Sequence, residues 1–156
     1  MATATNGTFY LVNQNVPVGK PGTDTILLKH TSWTPGGVVN DTYRICKLPH
    51  GVTLGDCFVQ MSDIDTNATP TAVFNLQATD GTTTKVLISG STIGQAGGFI
   101  RPTLANATET GIGYTLDTRN YWLELKFTTA VATPASGTFV VSLTLSGNYQ
   151  AGAITE

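Results

Sequence analysis

The sequence predicts an all-β fold, a single-domain antiparallel β-sandwich for which a jelly roll is the favoured wiring. The first reason is composition: only 12% of the residues are charged, against about 25% in ordinary soluble domains. Threonine and glycine are abundant, and branched or aromatic side chains suit a pleated surface better than a helix. The second reason is that apolar side chains recur at every second residue from Thr42 onward, as in strands with one buried face. The 156 residues fit one domain.

The first two predicted strands cover residues 43–48 and 54–61. Pro49 ends the first strand, and residues 49–51 are predicted to turn the chain into the second. The two strands are therefore interpreted as the arms of one hairpin. In the first, Tyr43, Ile45 and Lys47 are predicted to lie on one side and Arg44 on the other.

The middle of the domain carries a stronger hairpin signal. Residues 72–78 alternate with Ala72, Phe74, Leu76 and Ala78 facing inward, and Asp80 with Gly81 tolerates the positive φ angles of a tight turn. Residues 85–88 form the partner strand. Residues 91–98 are too rich in glycine for a central strand, so we expect a single helical turn or an irregular loop there.

Two long strands close the predicted sandwich, at residues 121–127 and 139–145. Each has one apolar face and one mostly polar face, and residues 132–137 form the turn between them. With the earlier segments this makes about eight strands at sandwich spacing. We therefore assign residues 36–156 to the sandwich domain.

Residues 1–35 differ from the rest, because their apolar residues come in short bursts separated by proline and glycine. This pattern fits either an extended arm lying on a neighbouring subunit or an edge strand of the same fold. Five apolar residues of this segment are the predicted partner-binding residues: Phe9, Tyr10, Leu11, Val12 and Trp33.

The charge balance narrows the possible partners. A net charge of -2 and a pI near 5.5 argue against nucleic-acid binding, which needs a basic patch. The first residues lack the pattern of a signal peptide, and no apolar run is long enough to span a bilayer. We expect a protein that is made in a cytoplasm. Its sparse charge suits a subunit of an assembly, although threonine-rich β proteins often share it.

Two cysteines, Cys46 and Cys57, are present. A disulfide across the predicted hairpin is geometrically conceivable, but the reducing cytoplasm favours free buried thiols. Neither cysteine has a neighbouring base or further zinc ligands at the usual spacing. We predict no cofactor at these residues.

No constellation of residues predicts an enzyme or a metal site. Residues 63–67 begin like a calcium loop, but Ala68 replaces the turn glycine and Phe74 the final glutamate, so a structural turn is favoured. The two histidines, His30 and His50, lie far from any serine or cysteine triad pattern.

Three aromatic residues form the alternative candidate site. Trp33, Tyr121 and Trp122 would make a sugar-stacking platform if they were exposed together. Packing in the core or at a subunit interface is the favoured interpretation, because tryptophan and tyrosine are common in both. Such a platform would make the domain a carbohydrate- or receptor-binding module.

The middle of the chain holds a recognisable set of segments at residues 47–52, 62–71, 74–76, 80–81 and 88–98. These segments resemble small virion proteins of tailed bacteriophages. The resemblance covers a third to a half of the chain and does not extend to the N-terminal segment. It leaves open whether the protein belongs to the head, the neck or the tail of the phage. In a tail or fibre, the carbohydrate- or receptor-binding module is the alternative function.

This resemblance implies a capsid decoration, or cement, protein without catalytic residues. Such a subunit binds the outer capsid as a homotrimer, so the expected partners are the major capsid protein and two further copies of the chain. The expected location is the virion, with no membrane partner.

Overall fold

Two β-sheets stack face to face and enclose one hydrophobic core. The computed structural model describes residues 4–5, 22–103, 108–117 and 120–147. The strands and the single 3-10 turn in these ranges are β1 (Ala4–Thr5), β2 (Gly22–Trp33), β3 (Thr42–Lys47), β4 (Thr53–Met61), β5 (Val73–Thr79), β6 (Thr84–Ser91), the turn Ile93–Gln95, β7 (Gly98–Ile100), β8 (Trp122–Thr129) and β9 (Gly137–Gly147). The predicted β-sandwich is therefore confirmed.

Except for β5 and β6, strands that are neighbours in sequence lie in different sheets. One sheet has the order β1-β3-β8-β5-β6 and the other β2-β9-β4-β7. All neighbouring strands are antiparallel except β1 and β3, which run parallel. No helix in the described ranges is long and apolar enough to cross a membrane.

The core lies where the period of two predicts it. Phe74, Leu76 and Ala78 of β5 are fully buried, as are Leu123 and Leu125 of β8. Burial of such side chains stabilises the fold by roughly 1.5–3 kcal/mol each.

The predicted β5–β6 hairpin is present. Gly81 has φ 94°, and Asp80 Oδ1 accepts hydrogen bonds from the backbone N–H groups of Thr82 and Thr83. The helical turn expected after it is the 3-10 turn Ile93–Gln95. The strand β7, which follows, was not predicted, because its three residues include the flexible Gly98.

The predicted hairpin between the first two strands is wrong. β3 belongs to the five-stranded sheet and β4 to the four-stranded sheet, so residues 48–52 connect the two sheets instead of turning within one. Cys46 and Cys57 therefore lie on opposite sheets. Both are buried free thiols, as predicted for a chain made in a reducing cytoplasm.

The edge-strand interpretation applies to part of the N-terminal segment. Gly22–Trp33 is an edge strand of the four-stranded sheet and pairs with β9 from Gly22 opposite Gly147 to Trp33 opposite Gly137. Phe9, Tyr10, Leu11 and Val12 lie outside the described residues, so the arm that they would form stays a prediction.

Candidate partner-binding surfaces

Trp33 lies in the core and not on a partner-binding surface. Its side chain is 2% exposed, with its ring centroid 5.0 Å from that of Tyr43, 6.1 Å from Phe127 and 5.9 Å from Phe139. A bulge between His30 and Trp33 shifts the alternation of β2, with Ser32 at a positive φ of 63°. This shift turns the indole inward, which corrects its predicted role in binding a partner.

The sugar-stacking platform is not assembled. Tyr121 is fully buried, whereas Trp122 is half-buried and lies on the opposite face of β8, because successive side chains of a strand point to opposite faces. Trp33 is buried as well. The core interpretation of Trp33 and Tyr121 is therefore confirmed, and the three rings do not form one surface.

The calcium-like segment has a structural role. The Asp65 carboxylate, 1% exposed, accepts four backbone hydrogen bonds of 2.8–3.0 Å from Thr71, Ala72, Ala132 and Thr133. Burial alone would raise the pKa of this carboxyl, but the four N–H donors outweigh burial and lower the pKa to about 2. Asp65 thereby joins the loop after β4 to the loop after β8.

The neighbours of Asp65 satisfy local donors in the same way. Asp63 Oδ1 accepts the backbone N–H of Asp65 at 2.9 Å, and Asn67 Oδ1 accepts that of Thr69 at 2.9 Å. These oxygens are the ones that a calcium ion would need. Within the described ranges, no group of three or more metal-ligating side chains is found.

The two thiols are poor nucleophiles. Burial raises the pKa of Cys46 to about 12. Burial also raises the pKa of Cys57 to about 12, with smaller contributions from the negative charges of Asp56 and Glu109. A thiolate, the reactive form, is therefore almost absent at neutral pH.

The outer face of the five-stranded sheet carries a basic cluster. We call it the basic face and define it by Arg44, Lys47, Trp122, Glu124 and Lys126. In the register of β3 with β8, Arg44 lies opposite Glu124 and Lys47 opposite Trp122. A bulge between Arg44 and Cys46 moves Lys47 to the same side as Arg44, although strict alternation predicted opposite sides.

Glu124 is buried within the basic face. Its side chain is 5% exposed, and its Oε1 accepts a hydrogen bond of 2.7 Å from Gln77 Nε2. Burial raises the pKa of Glu124, while the Gln77 hydrogen bond and the charges of Arg44 and Lys126 act in the opposite direction. The sequence pattern missed this burial, because it assigned Glu124 to a solvated polar face.

The outer face of the four-stranded sheet carries an apolar stripe, which we define as Leu27, Phe58, Phe99 and Val140. Leu27 is 64% and Phe99 54% exposed, and the rings of Phe58 and Phe99 lie 5.3 Å apart. In the strand register, Ser142 lies between Leu27 and Phe58 and is only 8% exposed. The stripe therefore crosses the sheet from β2 to β7.

The rim of this stripe is charged on one side. Arg101 pairs with Asp56, and its guanidinium lies 5.6 Å from the centroid of Phe99 and 5.9 Å from that of Phe58. An apolar centre with a polar rim, rich in aromatic residues and arginine, is typical of protein interfaces.

The fold is similar to that of two phage capsid chains. A chain of the cyanophage Pam1 capsid asymmetric unit is 25% identical, with a TM-score of 0.59, and the match covers 84% of this chain and 90% of that one. This chain is similar to phage capsid components. A chain of the Ralstonia phage GP4 capsid is 20% identical, with a TM-score of 0.65, and the match covers 85% and 89% of the two chains.

The similarity to the Pam1 chain supports a virion structural role and association with a capsid. They also favour a structural over an enzymatic protein. The predicted resemblance to phage virion structural proteins is therefore supported. No protein-family model matches the sequence, and no curated protein matches it.

Proposed function

We propose that this chain is a capsid decoration protein that binds the outer surface of an assembled phage head as a homotrimer. The observation that carries the proposal is the similarity to the cyanophage Pam1 capsid chain, which extends over nearly all of both chains. That neighbour is therefore a chain of similar length with the same sandwich. A sandwich of this size adds contact area to a shell, and that area would resist the pressure of the packaged DNA.

We also infer that the strands β2 to β9 are wired as a jelly roll. Their distribution into β2-β9-β4-β7 and β3-β8-β5-β6 supports this, because a jelly roll is an eight-stranded double sheet built from two Greek keys. Closing both sheets over one core leaves the two outer faces free for other subunits.

The apolar stripe supports the trimer. Contiguous exposed apolar residues are rare on monomers and usually mark an interaction site, and a second copy would remove Leu27 and Phe99 from water. Linking three subunits would multiply weak individual contacts with the shell into a high avidity.

The predicted arm would add a further contact. Phe9, Tyr10, Leu11 and Val12 precede β2 in sequence, and their apolar side chains would pack on the major capsid protein or on a sister subunit. Because β2 and Trp33 belong to the sandwich, the arm is tested by Phe9→Ser with Leu11→Ser and not by deleting residues 1–35.

The proposed function is tested by cosedimentation of the purified chain with emptied heads that lack it. We expect saturable binding, a copy number divisible by three and a higher temperature of head disruption. The Phe9→Ser, Leu11→Ser variant should fold normally and bind less. Heads that neither retain the wild-type chain nor gain stability from it would contradict the proposal.

A further inference from the structure

The charge of this chain is unevenly distributed between its two outer faces. The whole chain has a net charge of -2, yet the basic face holds three cations, Arg44, Lys47 and Lys126, and Glu124 is the one carboxylate among its defining residues. On the opposite sheet, the stripe residues Leu27, Phe58, Phe99 and Val140 are uncharged, and the described charges beside them are two cations and one carboxylate, Lys29 and the Arg101–Asp56 pair. A partner that meets the basic face therefore meets a positive potential.

The single carboxylate offsets one of the three cations at most. Glu124 is 5% exposed, and its Oε1 accepts a hydrogen bond from Gln77 Nε2. Lys47 is exposed, while Arg44 and Lys126 are half-buried. The three cations therefore remain at least partly accessible from outside.

Two further acids lie at the ends of this face, and their carboxylates accept hydrogen bonds from backbone N–H groups of their own loops. Asp41 Oδ2 accepts the backbone N–H of Val38 at 3.3 Å, and Asp80 Oδ1 accepts those of Thr82 and Thr83 at 2.8 and 2.6 Å. Both belong to loops beyond the strands. Their carboxylates therefore do not lie within β3 or β8, the two strands that carry Arg44, Lys47 and Lys126.

The aromatic residue of the basic face favours protein over nucleic acid as the partner. The Arg44 guanidinium lies 5.2 Å from the centroid of the Trp122 ring, so one face of the indole is already covered. Single-stranded nucleic acids bind by stacking bases on open aromatic rings and by many phosphate contacts. Three cations and a covered ring suit a carboxylate-rich protein surface better, since arginine and tryptophan dominate interface energetics.

We propose that the basic face docks on an acidic surface of the capsid protein, with Arg44, Lys47 and Lys126 facing its carboxylates. This inference rests on the proposed function and assigns the shell contact to one face of the sandwich. Because exposed ion pairs are screened by salt, attachment through this face weakens as the ionic strength rises.

Charge reversal tests the inference with a matched control. Lys47→Glu and Lys29→Glu change the net charge equally, and both side chains are exposed. Lys29 lies on the other sheet, opposite Val140 of the stripe, so sedimentation equilibrium first checks that each variant keeps the wild-type mass. Binding of each full-length variant to emptied heads is measured by cosedimentation at low and high salt, with thermal unfolding as the folding check. Lys47→Glu should weaken binding at low salt by about tenfold or more, and Lys29→Glu by less than about twofold. The loss should shrink at high salt.

Other outcomes separate this inference from the proposed function. Equal binding by both variants would overturn the inference and leave the decoration role standing. A Lys47→Glu protein that loses its trimer would assign the basic face to sister subunits, and retention of DNA by the wild type in a gel-shift assay would assign it to nucleic acid. Either result overturns the inference. If the wild-type chain does not bind heads at all, the proposed function itself fails.

Discussion

Asp65 and Thr133, 68 residues apart, are joined by a hydrogen bond of 2.8 Å from the Thr133 backbone N–H to Asp65 Oδ1. Three further backbone donors converge on Asp65 Oδ2, from Thr71, Ala72 and Ala132. One buried carboxylate thus connects the loop after β4 to the loop after β8 by four hydrogen bonds. Charge-assisted hydrogen bonds of this kind are stronger than neutral ones.

Replacing this carboxylate should destabilise the fold. Asp65→Asn places an amide N–H₂ among backbone donors and leaves some of them unsatisfied, so we expect a loss of about 3 kcal/mol in the free energy of unfolding. Asp63→Asn is the matched control, because Asp63 is exposed and its amide oxygen would keep the one bond to Asp65. Denaturant unfolding measures both. A change below about 0.5 kcal/mol for Asp65→Asn would refute the role of this carboxylate.

The same carboxylate predicts an acid dependence. The folded pKa of Asp65, about 2, lies below its ordinary value of 3.8. Its contribution to stability is therefore fully present above pH 3.8 and is lost as the pH falls toward 2. The difference in stability between the wild type and Asp65→Asn should shrink across this window, as measured by denaturant unfolding at each pH. A constant difference would contradict the lowered pKa.

The two tryptophans should differ in stability effect and in fluorescence. Trp33→Ala removes a ring packed among Tyr43, Phe127 and Phe139, so we expect a loss of about 3–5 kcal/mol. Trp122→Ala removes a half-buried ring and should cost roughly 1 kcal/mol. With Trp122→Phe, the remaining Trp33 emission should be blue-shifted and resistant to iodide. Quenching of Trp33 as strong as that of Trp122 would show that it is not in the core.

The cysteines should be unreactive in the folded protein. Cys46 and Cys57 are buried thiols with pKa values raised to about 12, so an aromatic disulfide reagent at pH 8 should label neither on a time scale of minutes. Both should react at once in concentrated guanidinium. Rapid labelling of the native chain would contradict this placement.

The apolar stripe should control the oligomer. Leu27→Ser with Phe99→Ser removes the two most exposed apolar side chains of the stripe, and we expect the trimer to dissociate at concentrations at which the wild type stays associated. Val38→Ser is the control, since Val38 is 60% exposed but lies in the loop between β2 and β3. Sedimentation equilibrium reports the mass. A wild-type chain that is monomeric at every concentration measured would contradict the proposed trimer.

Local periodicity predicted the strands that form regular ladders. Phe74, Leu76 and Ala78 face inward as predicted, because β5 has a complete partner, β8, beside them. Periodicity failed at the bulge in β3, where one extra residue inverts the pattern and Lys47 lies on the face of Arg44. A bulge depends on the partner strand, so the sequence of one strand does not reveal it.

Pairing between strands that are distant in sequence explains the other wrong predictions. The connection after Pro49 has the composition of a hairpin turn, yet it crosses between sheets, because β9 occupies the place beside β4. The burial of Glu124 has a similar origin, since it depends on Gln77 from β5 and Arg44 from β3. The basic face was recognisable in sequence only as scattered charges, which strand pairing then brought together.

Electron cryomicroscopy of the native phage particle would locate this chain in the virion. We expect sandwich-shaped densities in clusters of three on the outer surface of the head, each with its five-stranded sheet turned toward the shell. Density for this chain confined to the neck or tail, or a particle without it, would contradict the decoration role.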